Sequence, residues 1–402
     1  MFAPNSVNVA RCASLIRNKS PTNCDAQLPE SNFQTHSKVS KGNGIKMNNR
    51  IKIKEILMRH MNEYPQMEVQ DAVKLLYQSE FGGGHMIKEE ALSLERLRAE
   101  FGEGRKRYPH PGEAGEPVGG GLMRMDLDVL NRGLSPETLN RMFVLTAAET
   151  SGSAGSFEGK LEALRACVKE GSTPFNIKEL DDYLKRYRAE GYPAVSHSRR
   201  YRDAYEPSYR IVKEEYGVYF QVFRDIDLLL KKTDKSPLLA AIDGKSGSGK
   251  STLAALIQEV YGCGLFHMDD FFLQPHQRTE ERFAQAGGNV DYERFYEEVL
   301  VPVLAGKDFC YRRYDCCSRK LAETIEVKAS RLNIIEGVYS QHPYFGDIYD
   351  LKYFMTVSEE EQRSRILKRN GEVMLERFLK EWIPLENIYF EKCGIGGTII
   401  NV

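Results

Sequence analysis

The segment Gly244-Lys245-Ser246-Gly247-Ser248-Gly249-Lys250-Ser251 fits the pattern G-x-x-x-x-G-K-[ST] and lies between an apolar run, Leu238 to Ile242, and a helix-prone stretch opening at Thr252. Strand, glycine-rich turn and helix in this order confine the chain to an α/β architecture, with the turn at a strand's carboxyl end, where open sheets take their ligands. Glycines at 244, 247 and 249 permit positive φ and let main-chain N–H groups approach an anion that a Cβ would obstruct. The partial positive charge of the following helix's N-terminus adds to that attraction. The pattern therefore predicts a phosphate cradle over Gly244 to Ser251, with Thr252 in the first helical turn. Lys250 is expected to reach between the β- and γ-phosphates of ATP, and the Ser251 hydroxyl to hold Mg²⁺.

The rest of the chain sets bounds. Its 402 residues are enough for two domains with cores of their own. Lys and Arg total 56 against 57 Asp and Glu, so no electrostatic footprint for nucleic acid is visible. No apolar run approaches the roughly twenty residues needed to cross a bilayer. The eight cysteines form no C-x-x-C pair and no zinc spacing, which suits reduced thiols in a cytoplasmic protein.

Residues 1–46 are rich in Ser, Asn and Thr and nearly devoid of acids, so they are expected to be a disordered leader or one not native to the protein, upstream of a start at Met47. Arg11, Arg17 and Lys19 among serines leave a transit peptide as the alternative. Residues 47–230 read as a mainly helical domain. Val69, Val73 and Leu76 recur at helical spacing, as do Leu94, Leu97 and Phe101, and then Phe157, Leu161, Leu164 and Val168. Ser135-Pro136-Glu137 has the residues of a helix start, another helix is expected from Ile177 to Glu190, and no alternating strand pattern is seen. Lys231 to Pro237 suits a linker. From 231 to 402 short apolar runs alternate with helical stretches, which predicts a mainly parallel sheet with helices on both faces.

Three features follow the turn. The run ending in His267-Met268-Asp269-Asp270 leaves a carboxylate at a strand end, placed to take a proton from a hydroxyl or to orient Mg²⁺, and Asp269 is favoured because it directly leaves the strand. Asn333-Ile334-Ile335-Glu336 is a second apolar strand ending in an acid that can attend the metal. Arg365, Lys368 and Arg369 share a helical face and either close over the phosphates or pair on the surface with acids such as Glu361.

The ordered series GKSGSGKST, MDDFF, GGNVDYERF, YDCCSRK, IIEGVYS and RSRILKRN resembles the uridine kinase and phosphoribulokinase group of P-loop small-molecule kinases, over about residues 238–402. The resemblance implies that Asp269 activates the acceptor hydroxyl, that Glu336 attends the metal and that Arg365 and Lys368 are lid residues. It also implies that Asp291 holds sugar hydroxyls and that Tyr314, Asp315 and Arg319 line the acceptor pocket. Where uridine kinases usually carry a histidine that helps read the pyrimidine, this chain has Cys316, Cys317 and Ser318. A thiol is a poor substitute at a base edge.

The expectation is thus an ATP-dependent phosphotransferase acting on a small acceptor, with uridine or another nucleoside foremost. Another small alcohol, or a nucleotide-dependent switch with no acceptor, are the alternatives.

The helical part carries two glycine triplets, Phe81-Gly82-Gly83-Gly84-His85 and Gly119-Gly120-Gly121, the second near Arg124. It also carries the polar run Ser196-His197-Ser198-Arg199-Arg200-Tyr201, which suits either an anion or an exposed connection. Pro207 prevents Tyr201, Tyr205 and Tyr209 from sharing one helix.

Overall fold

The computed structural model describes residues 41–102, 114–316 and 318–402, so the expectations for residues 1–40 and for Cys317 lie outside the described residues. The helices of the first half are α1 (Lys41–Glu63), α2 (Val69–Phe81), α3 (Glu90–Gly102), α4 (Pro136–Glu149), α5 (Ala154–Lys169), α6 (Ile177–Ala189), α7 (Arg199–Tyr205), α8 (Glu214–Val218) and α9 (Phe220–Lys232). Ser135 caps α4 by accepting from the Thr138 N–H, with Pro136 in the first turn, as its sequence predicts.

One expectation for this half is corrected. An antiparallel sheet, β1 (Gly115–Gly119), β2 (Leu122–Asp126) and β3 (Tyr209–Lys213), runs through it. Its strands are five residues long, and β2 is buried at every position, so no alternation marks it. The second glycine triplet makes the β1–β2 turn, with φ of 90, 69 and 75° at Gly119, Gly120 and Gly121. A Cβ at Gly120 would lie 2.3 Å from the Ser79 carbonyl oxygen.

Beyond α9 the main sheet is built from β4 (Leu238–Gly244), β5 (Gly264–His267), β8 (Leu332–Glu336), β9 (Leu351–Thr356) and β10 (Thr398–Asn401). Their spatial order is β10-β9-β4-β8-β5, with every pairing parallel. The phosphate loop leaves central strand β4 and enters α10 (Lys250–Tyr261). An antiparallel hairpin of β6 (Phe309–Asp315) and β7 (Lys320–Val327), not anticipated from the sequence, stands beside the strand ends.

The remaining helices are α11 (Glu280–Phe283), α12 (Tyr292–Phe295), α13 (Val301–Leu304), α14 (Glu359–Arg377) and α15 (Ile383–Cys393). This is an α/β P-loop fold preceded by a mainly helical region. Among the described residues no helix is long and apolar enough to cross a membrane.

Successive residues of a strand face opposite sides, and here the two sides meet different parts of the chain. Leu238, Ala240, Ile242 and Ile334 join an apolar cluster with α10 and with Leu139, Met142, Phe220, Phe223 and Ile226 of the helical half. Leu239, Ile335 and Phe266 join Phe271, Phe295, Val299 and Tyr389 on the other side. The segment read as a linker therefore connects α9 to β4 while a single core continues across it. A further cluster, including Leu57, Val73, Phe157, Leu161 and Leu184, belongs to the helical half alone.

Candidate active site

The loop has the conformation its glycines allow, with φ of 135° at Gly244, 75° at Gly247 and 94° at Gly249. A Cβ at Gly244 would sit 2.0 Å from the Met355 carbonyl oxygen, so only glycine lets the turn pack against β9. Lys250 folds back over the turn, its ammonium donating to the carbonyls of Gly244 (2.9 Å) and Lys245 (3.0 Å). Lys245 donates through its N–H to Met355 and through its ammonium to the Val357 carbonyl. The Ser248 hydroxyl is buried without a hydrogen-bond partner among the described residues, while Thr252 is exposed in the first turn of α10.

Two acids converge on the loop from neighbouring strand ends. The Ser251 hydroxyl donates to Glu336 at 3.1 Å, and His267 donates to the same carboxylate oxygen through Nδ1. Burial opposes a charged His267, but the hydrogen bond and charge of Glu336 outweigh it and raise its pKa. Asp269 follows β5 in a short 3₁₀ turn, Met268–Phe271. Asp269 stands at the exposed edge of the cleft, and its carboxylate makes no hydrogen bond among the described residues. The crowded cleft around it and then the Glu336 charge raise its pKa, against the pull of Lys250 and His267. Asp270 is already engaged, accepting from the Tyr311 hydroxyl at 3.0 Å.

The residues expected at the acceptor lie in the β6–β7 hairpin and at the start of α12. Cys316 is exposed in the β6–β7 turn, and partial burial and then the Asp269 charge raise its thiol. Tyr314 is buried and accepts from Arg278 at 3.1 Å; Asp315 accepts from the Ser318 N–H; Arg319 is exposed in the turn, at φ 55°. Asp291 is 3% exposed, caps α12 by accepting from the Arg294 N–H, and pairs with the Arg294 guanidinium at 3.3 Å. Arg365 on α14 lies at the loop and also makes the surface pair its sequence offers. It pairs with Glu361 at 2.8 Å and donates to the Gly247 carbonyl at 3.4 Å. Arg363, Lys368 and Arg369 are exposed.

Two neighbours of the loop escaped the sequence reading. Glu386 of α15 is 4% exposed, and its carboxylate accepts from both the N–H and the hydroxyl of Ser246. An oxyanion is therefore already seated against the loop. Burial raises its pKa, while Ser246 and Lys250 oppose that rise. Tyr219, between α8 and α9, brings the helical half to the loop: a Cβ added at Gly249 would meet its hydroxyl at 3.2 Å. Neither contact carries a short-range signal, since Glu386 lies 140 residues from Ser246. Among the described residues no group of three or more His, Cys, Asp or Glu is gathered for a metal. Mg²⁺ needs fewer, because it is usually held by one or two carboxylates with water and substrate phosphates.

Comparison with known proteins bears on two parts of the chain. Residues 1–46 match the model of a family of unknown function, DUF6783. A possible uridine kinase from Bacillus stearothermophilus is similar at 20% identity and TM-score 0.34, over 45% of this chain and 99% of that one. A putative fructose transport system kinase from Silicibacter sp. TM1040 is similar at 20% identity and TM-score 0.36, over 43% and 95%. The deoxyadenosine kinase of M. mycoides is similar at 17% identity and TM-score 0.18, over 41% and 89%.

Proposed function

We propose that this protein is an ATP-dependent phosphotransferase that moves the γ-phosphoryl group to a hydroxyl of a small acceptor, with a nucleoside such as uridine the leading candidate. The observation that carries this reading is Asp269: an unbonded carboxylate, raised in pKa, in the same cleft as the phosphate-loop lysine. A switch that only binds nucleotide has no use for a free base there; a kinase needs one to take the acceptor's proton. Lys250 and the loop amides hold the phosphates, and Arg365 approaches from α14. In such reactions catalysis is mainly positioning and charge stabilisation.

Ser251 and Glu336 form a hard-oxygen pair that fits Mg²⁺, and the ion would supply neutralisation of phosphate charge. Asp291, Tyr314, Asp315 and Arg319 are proposed to shape the acceptor side. The phosphoryl group leaves ADP as the acceptor oxygen attacks, and the acceptor's proton passes to Asp269. Release of ADP across a panel of nucleosides and sugar alcohols tests the reading. Stimulation by one class identifies the acceptor, and turnover indifferent to every acceptor overturns the proposal.

A further inference from the structure

The run Ser196 to Tyr201, unused by the phosphate-loop chemistry, borders a cavity in the helical half. It measures about 530 Å³, in the range of small-molecule sites, and is lined by Lys74, Ser196, His197, Arg202, Glu206 and Pro207. Lys74, on α2, is half-buried and donates to the Val195 carbonyl at 2.8 Å. Among the described residues neither Lys74 nor Arg202 has a carboxylate within ion-pair distance. Burial, and then the Arg124 charge, lower Lys74 to about 8. His85 lies close enough for the Lys74 charge to add to burial in lowering its own pKa. The Asp71 charge opposes the fall at Lys74, and a half-buried ammonium with no carboxylate in contact gains further from an accompanying anion.

Behind the cavity wall the polar groups form one directed chain. His197 donates through Nδ1 to Asp71 at 3.0 Å, and its Nε2 accepts from the Tyr209 hydroxyl at 2.6 Å. The Gln78 amide donates to that hydroxyl at 3.0 Å and accepts from Arg124 at 2.9 Å, and Arg124 pairs with Glu116 at 2.9 Å. Asp71 also accepts from the N–H and hydroxyl of Ser198, and the His197 ring stacks on Tyr201 with centroids 4.2 Å apart. Hydrogen bonds tie the members of this chain together, so the wall is rigid, and Lys74 and Arg202 bring positive charge to the cavity beside the Glu206 carboxylate. Tyr201, Tyr205 and Tyr209, which cannot share a helix, all pack in this one region.

We propose that the helical half binds a small organic oxyanion bearing hydroxyl groups, the chemistry shared by sugar phosphates and hydroxy acids. Lys74 and Arg202 take the anionic end, and Glu206 accepts from a hydroxyl. The site is separate from the phosphate loop and does not depend on the proposed kinase activity.

Calorimetric titration of the full chain, with the loop saturated by a non-hydrolysable ATP analogue and Mg²⁺, tests it. The probes are ribose 5-phosphate, gluconate and inorganic phosphate. Saturable binding of ribose 5-phosphate or gluconate is expected, weakened at least ~10-fold by Lys74→Met and by Arg202→Gln. Ribose 5-phosphate alone identifies a phosphate ester, and gluconate alone a carboxylate. Arg202 is exposed, so its replacement guards against a folding defect in the Lys74 variant. Absence of binding by both organic probes at millimolar concentration overturns the proposal. So does binding that survives both substitutions, which would place the probe at the acceptor side of the loop.

Discussion

The two halves of the chain keep their chemistry in different places. In the C-terminal half the candidate groups sit on turns at strand ends: the loop after β4, Asp269 after β5 and Glu336 at the end of β8. Main-chain geometry brings them together, because parallel strands deliver their carboxyl ends to one edge. In the helical half the polar groups come from α2, β1, β2, β3 and the segment before α7, and side-chain hydrogen bonds join them through the interior. The first design leaves a local signature, and the second does not. Between them lies a core that neither half owns.

The contrast can be broken at its strongest point first. Lys250→Ala removes the cation that spans the loop, and we expect phosphate transfer to fall below detection in an acceptor-dependent ADP assay. Retained transfer would detach the chemistry from the loop. Phe223→Ala tests the shared core. Phe223 is fully buried among residues of both halves, and its truncation is expected to cost about 3–5 kcal/mol. Denaturant unfolding monitored separately in each half should show one transition moving as a unit. Two transitions, with only the first displaced, would mean that the halves fold independently.

Glu386→Gln is the subtler probe. The wild-type carboxylate holds the Ser246 N–H that a phosphate oxygen would also seek, and a neutral amide competes less well. Nucleotide affinity, measured by calorimetry, should rise several-fold, or about 1 kcal/mol. Unchanged or weaker binding would mean that Glu386 leaves the phosphates unhindered.

The same contrast explains what was legible in the sequence. Strands β4, β5, β8, β9 and β10 are readable because buried parallel strands are short apolar runs between helices. Ser135 and Pro136 marked α4 because capping is local. β1 and β2 were illegible: Gly115, Pro117 and Gly119 weaken one pattern, and complete burial erases alternation in the other. The sequence favours Asp269 over Asp270 for its place at the strand end, and the structure adds a difference the sequence does not contain, the Tyr311 hydroxyl that occupies Asp270. Glu386 and Tyr219 reach the loop through tertiary packing alone, and the pairing of Asp291 with Arg294 was hidden behind the role suggested by resemblance.

The account rests on Asp269 as the base. Its carboxyl is raised above the ordinary aspartate range, so wild-type kcat/KM should fall as pH drops through that raised value, when the base becomes protonated. The direct measurement is acceptor-dependent turnover of Asp269→Asn beside its affinity for ATP. We predict turnover lowered at least ~10²-fold with ATP affinity nearly intact. Near-normal turnover in that variant would contradict the assignment and the mechanism built on it.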